Sequence, residues 1–216
     1  MVEKFHTELA SLKEDVLEMG YLARDMLNRS LTALETQDVA LAGSIDRDKK
    51  RIADQDHEIE QKCLRLIALN QPMAKDLRTI AASMKMITSL YRIGRYGKDI
   101  AIVVPDLAGA PHVGNLVGIP HMGEVVGGMI TDTLVAFERE DLTAIDDIVE
   151  REVAVDALRY SVFRGCLACM MEDPKNITQC TNYVMIARYL ERCGDHACKI
   201  AEKVHYMVTG ERIEIR

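Results

Sequence analysis

Two pairs of carboxylates lie four residues apart in the second half of the chain, Glu152 with Asp156 and Glu191 with Asp195. On a helix, residues i and i+4 share one face a turn apart, so both members of a pair can reach the same cation. Four carboxylates on neighbouring helices repel one another unless cations or arginines neutralise them. An all-oxygen set suits Mg, Mn or Fe better than an ion selected by thiolates. The alternative is a solvated acidic face, because such pairs are frequent on helices. His196, next to Asp195, is either a nitrogen ligand or an ordinary surface histidine.

The remaining chemical motifs are weaker. Cys166 and Cys169 have metal or redox spacing, but they fall inside a helical pattern with no second pair at a suitable distance, which favours packing. Glu3-Lys4-Phe5-His6 is a lone Glu-x-x-His, where a di-iron carboxylate bundle needs two on inward faces. Gly127-Gly128 lacks the strand and loop context of a nucleotide site. No Ser/His/Asp or Cys/His arrangement stands out, so the chain reads as a binding protein and not an enzyme.

The elements that must position the carboxylates are helices. The 216 residues are 48% hydrophobic and 5% aromatic, with 12 Met, 5 Pro and no Trp, a helical composition with enough apolar content for a core. A net charge of -7 disfavours a general nucleic-acid binder. The N-terminus has no basic-then-apolar build and charge interrupts every long apolar stretch, so neither a signal peptide nor membrane insertion is expected. A cytoplasmic location follows, with the six cysteines (63, 166, 169, 180, 193 and 198) as reduced thiols.

Phe5, Leu9, Leu12, Val16, Met19, Ala23 and Met26 step by four and three and predict one long helix over 3–36. Ile45, Ile52, Ile59 and Leu66 recur every seven residues in a second helix that Pro72 ends. Leu77, Ile80, Met84, Ile87, Leu90, Ile93 and Ile100 carry a third to about Val104. Residues 105–120, with three of the five prolines, read as a linker. A fourth helix is expected from His121 to about Arg139, a fifth through Ile148, Val155, Val162 and Cys169, and a sixth after Pro174.

The second half repeats the first. Adding 103 to the second-helix seam lands on the fifth-helix seam, and adding 100 carries Arg92-Ile93-Gly94 onto Arg192-Cys193-Gly194. The reading is an all-α protein of two tandem three-helix bundles, 1–104 and 121–216, joined by the 105–120 linker. In the sixth helix the seam Ile186, Leu190, Cys193, Ala197, Ile200, Val204 and Met207 leaves Glu191 and Asp195 on the opposite side, expected to be accessible. Residues 1–104 hold 16 basic and 16 acidic residues, whereas 117–216 hold 11 and 17. Nearly all the net acidity therefore belongs to the second bundle.

Gln71-Pro72-Met73-Ala74-Lys75-Asp76-Leu77-Arg78 and Glu191-Arg192-Cys193-Gly194-Asp195-His196 resemble the turn and the Glu-Arg-Ile-Gly-Asp signature of the PhoU family of phosphate-uptake regulators. The resemblance spans essentially the whole chain. It implies a cytosolic, non-enzymatic adaptor, usually a homodimer, that restrains phosphate uptake through the ATPase subunit of the phosphate ABC transporter. Where one is present, it also connects the transporter to a phosphate-sensing histidine kinase. Any association with the inner face of the membrane is then peripheral, through those partners. Some members hold iron, zinc or manganese through paired acidic motifs on each bundle, and Glu152, Asp156, Glu191 and Asp195 match the second-bundle motif. The first bundle departs from it, with Lys49, Ala53, Tyr91 and Arg95 at the corresponding positions. Rival readings are a helical metal-storage or oxidase protein, disfavoured by the missing second Glu-x-x-His, and a structural coiled-coil scaffold, disfavoured by the turn signature.

Overall fold

The structure, a computed structural model, describes residues 2–215, so Met1 and Arg216, the outer ends of the two expected halves, lie outside the described residues. Among the described residues there are six α-helices and no strand: α1 (Val2–Thr36), α2 (Val39–Asn70), α3 (Ala74–Leu107), α4 (Ile119–Arg139), α5 (Ile148–Glu172) and α6 (Ile177–Thr209). The boundaries have local causes. Asp38 caps α2 by accepting a hydrogen bond from the Leu41 N–H at 2.9 Å. At the other end Gln71 turns left-handed, its N–H donates to the Ile67 carbonyl, and Pro72 prevents continuation. α6 stops at Gly210, which takes φ +83° at no steric cost.

The heptad seams are the core. Ile45, Ile52, Ile59 and Leu66 on α2 and Ile148, Val155 and Val162 on α5 are all buried, while Cys169, the last member of the α5 seam, is half-buried. All seven predicted residues of α1 and of α6 are buried as well. On α3 there are two exceptions: Met84 is half-buried, and Leu77 is exposed because the neighbouring Arg78 faces α6, its Nε donating to the Met207 carbonyl at 3.5 Å. The repeat is visible in the packing: a Cβ on Gly94 would meet Ile52, and one on the corresponding Gly194 would meet the corresponding Val155.

The two bundles share one apolar core, because α3 packs along α6 and α1 along α4. Tyr96 on α3 stacks on Tyr189 of α6 with ring centroids 5.7 Å apart. The residues from 105 to 120 are more ordered than a flexible linker. α3 continues through Pro105 to Leu107, a 3-10 turn fills Val113–Gly118, and α4 begins at Ile119. The segment between is tied down by Gln37, which donates to the Leu107 and Ala110 carbonyls, and by His112. The Leu34 carbonyl can only accept, so His112 donates to it from Nε2 (2.8 Å), while its Nδ1 hydrogen-bonds the Tyr183 hydroxyl (2.7 Å), which also reaches Gln179 Oε1 (3.1 Å). No described helix is long and apolar enough to cross a membrane.

Candidate functional site

α5 and α6 bring Glu152, Asp156, Glu191 and Asp195 to the wall of one concavity, together with Arg192, Cys198, Lys199 and Glu202. The close approach of the two helices depends on Gly194, where a Cβ would stand 3.2 Å from Glu152 Oε2 and 3.4 Å from Val155 Cγ1. The glycine of the Glu-Arg-Cys-Gly-Asp segment is therefore the floor on which the Glu152 carboxylate rests. The Cys198 thiol donates to the same Oε2 at 3.3 Å.

The electrostatics of this wall are tightly coupled. Burial pushes the Glu152 carboxyl up to about 7, its hydrogen bond to Asp195 and the charges of Asp195 and Asp156 act in the same direction, and the Cys198 thiol opposes them. The Glu152 carboxyl therefore keeps its proton to a higher pH than an ordinary carboxyl does. Burial raises Glu191 above its ordinary value as well, although Arg188, Arg192 and Arg159 pull against it. Arg188 pairs with Glu191 Oε1, Arg159 and Arg192 stand 3.7 Å from its two oxygens, and Arg192 donates to Asp195 at 2.5 Å. Glu191 Oε2 is nevertheless buried without a hydrogen-bond partner.

The expected accessibility of Glu191 is thus corrected: the residue is only 7% exposed. α6 is packed on more than the one seam, since Ala187, Glu191, Gly194, Cys198 and Ala201 are buried too, where α5 crosses it. Asp156 is exposed and Glu152 and Asp195 are half-buried. His196 points away from the carboxylates, packing against Tyr96 and Ser89 of α3, and burial pushes its imidazole down to about 4. Arg159, Arg188 and Arg192 were the residues missed in the sequence, although Arg188 and Arg192 lie one turn before Glu191 and Asp195, the spacing of a helical ion pair.

The donor chemistry suits a hard or borderline divalent ion, because carboxylates dominate the wall and one buried oxygen lacks a partner. As the side chains stand, no three His, Cys, Asp or Glu groups among the described residues are already gathered around one point. Arg159, Arg188 and Arg192 hold Glu191 and Asp195 instead. The matching face of the first bundle offers Lys49, exposed, and Arg95, whose Nη1 donates to the Tyr91 hydroxyl at 3.4 Å. The Cys166-Cys169 pair packs beside Cys180 as free thiols, with burial raising Cys166 to about 12.

Comparison with known proteins covers both bundles. The family model for the PhoU domain matches residues 16–104 and 119–204. The phosphate-specific transport system accessory protein PhoU homolog of Clostridium acetobutylicum is 34% identical over 212 residues, 98% of this chain and 97% of the relative. The homolog of the same name from Rhizobium meliloti is 37% identical over 211 residues, 97% of this chain and 89% of the relative. The crystal structure of PhoU from Pseudomonas aeruginosa superposes with a TM-score of 0.90 at 33% identity, covering 96% of this chain and 100% of that one. That of the phosphate transport system regulatory protein PhoU from Streptococcus pneumoniae gives a TM-score of 0.88 at 28% identity, covering 97% and 99%.

Proposed function

Because the chain belongs to the PhoU family of phosphate-transport accessory proteins, we propose that it is a non-enzymatic regulator of phosphate uptake and phosphate homeostasis. It acts as a cytosolic, dimeric adaptor that restrains the phosphate ABC transporter through the ATPase subunit and, where one is present, a phosphate-sensing histidine kinase. The observation that carries this reading is the match of both bundles, over nearly the whole chain, to relatives named as accessory proteins of that transport system. Deletion in the source organism should raise phosphate uptake and alter phosphate-dependent expression, and affinity capture from phosphate-replete cells should recover the ATPase subunit. Unchanged uptake and expression would refute the reading.

The acidic face of the second bundle is read as the metal-responsive part of this adaptor. Glu152, Asp156, Glu191 and Asp195 would hold a divalent or iron-type ion (Fe, Mn, Zn or Mg), which supplies positive charge where the wall is most crowded with carboxylates. Arg192 and Arg188 compete for the same oxygens, and a proton on Glu152 must leave, so uptake should strengthen as pH rises through about 7. The first bundle, with Lys49 and Arg95 at the matching positions, offers an ion repulsion instead of ligands. Titration of the full chain with Mn should lose its binding in a Glu191→Ala, Asp195→Ala variant and keep it in a Lys49→Ala, Arg95→Ala variant. Unchanged uptake by the first variant would show a merely solvated acidic face.

A further inference from the structure

α5 is apolar on two sides. Its inner seam of Ile148, Val155, Val162 and Cys166 is buried. On the outer side Val149, Val153, Tyr160, Phe163 and Leu167 remain 44%, 63%, 57%, 43% and 43% exposed. With Asp156 between them, these residues step by four, three, four, three and four, the alternation of a two-helix seam. The stripe runs for about 27 Å at the helical rise per residue. A continuous exposed stripe of this kind is uncommon on a monomer and marks a surface that another helix covers.

We infer that this stripe is the interface at which two copies of the chain pair, α5 against α5, antiparallel about a twofold axis. The reasoning is self-complementarity, which a twofold interface requires because each residue i that meets j is matched by a j that meets i. With the axis near the middle of the stripe, Val149 lies across from Leu167 of the second copy and Val153 from Phe163. Asp156, the one charged position, then lies across from the Tyr160 hydroxyl, which can donate to it. On one flank Glu150 meets Arg164 of the second copy, and the pair forms twice. Both are exposed, and among the described residues neither has a hydrogen bond or ion pair within its own chain. A parallel arrangement would set Asp156 against Asp156 and Arg159 against Arg164, so the charges select the antiparallel one. Arg159, which the axis brings near its own copy, is held back over the Tyr160 ring and toward Glu191.

This interface rests on the dimeric part of the proposed function, and the test separates the two. Sedimentation equilibrium of the full chain at tens of micromolar should give a dimer. Glu150→Arg and Arg164→Glu, each converting two attractions into two repulsions, should weaken it by about tenfold or more. The double variant E150R/R164E should return to within about threefold of the parent, because the pairs re-form with signs exchanged. Leu167→Asp, at an exposed position, should leave the helical circular dichroism unchanged and abolish the dimer. A dimer insensitive to the single reversals, or not restored by the double one, would overturn this interface while leaving dimerisation standing. A chain that stays monomeric, including one whose stripe captures a helix of another protein, would overturn both.

Discussion

Gly97→Ala tests how closely the first bundle is packed. A Cβ at Gly97 would stand 2.9 Å from the Leu27 amide nitrogen and 2.9 Å from the Met26 carbonyl carbon. Both atoms belong to the backbone of α1, so relief requires moving one helix relative to another. Overpacking of that kind costs about 1–3 kcal/mol or more, against about 1 kcal/mol gained from the better helix propensity of alanine. Because the obstacle is backbone, the upper end applies, and a net loss of about 2 kcal/mol lowers Tm by about 4–8 °C in a chain of this size. Gly43→Ala on α2 is the internal control, since nothing lies within 4 Å of its Cβ position. There the propensity gain stands alone, about 0.5–1 kcal/mol of added stability. Urea and thermal unfolding followed by circular dichroism would measure both. If the two substitutions moved stability in the same direction, or if Gly97→Ala fell within 0.5 kcal/mol of the parent (about the scatter of surface substitutions), the argument from helix approach would fail.

Glu152→Gln should stabilise the metal-free chain at high pH. The carboxyl is pushed from 4.5 up to about 7 in the fold, so the folded state binds the extra proton between those values and stability declines as pH rises through that window. Removing the charge should recover about 1–2 kcal/mol at pH 8 after allowance for solvent screening, and well under half of that at pH 5. Equal effects at the two pH values in chelated buffer would contradict the shift, and Mn should stabilise the parent more than the variant. Glu140 accepts from Lys13 at 2.8 Å and Lys75 at 2.6 Å, tying the end of α4 to the first bundle, and those hydrogen bonds hold its carboxyl below the ordinary value. Glu140→Gln should cost about 1 kcal/mol at neutral pH. The difference should vanish as pH falls through the folded value, where the parent loses the same charge; a loss that persisted in acid would assign the effect to packing. Tyr183→Phe removes the hydroxyl that bonds His112 and Gln179 and should cost about 1–2 kcal/mol in urea unfolding, with smaller losses indicating that water replaces the hydroxyl.

The all-helical fold and its repeat were legible in the sequence because heptad spacing is a local property. Ile45, Ile52, Ile59 and Leu66 must face one way on a helix whatever surrounds them, and they do. Gly94 and Gly194, matched by register alone, sit at equivalent helix crossings. The four carboxylates were also recognisable, since i and i+4 on one helix are neighbours by geometry. Tertiary packing decided how α5 and α6 meet, and with it the properties of those groups. Glu191 lies opposite the best single seam of α6, yet α5 crosses it there and buries it, so its charge depends on arginines from two helices. His196 is adjacent to Asp195 in sequence, but a step of one residue turns about 100° around a helix, toward α3. The order of the residues from 105 to 120 likewise depends on contacts from Gln37 and Tyr183, which lie far away in the chain. The outer stripe of α5 was hidden for a related reason. The heptad seam marks one side of α5, but a helix that is apolar on a second side offers two candidate faces, and only the placement of its neighbours separates the side that is covered from the side that is left open.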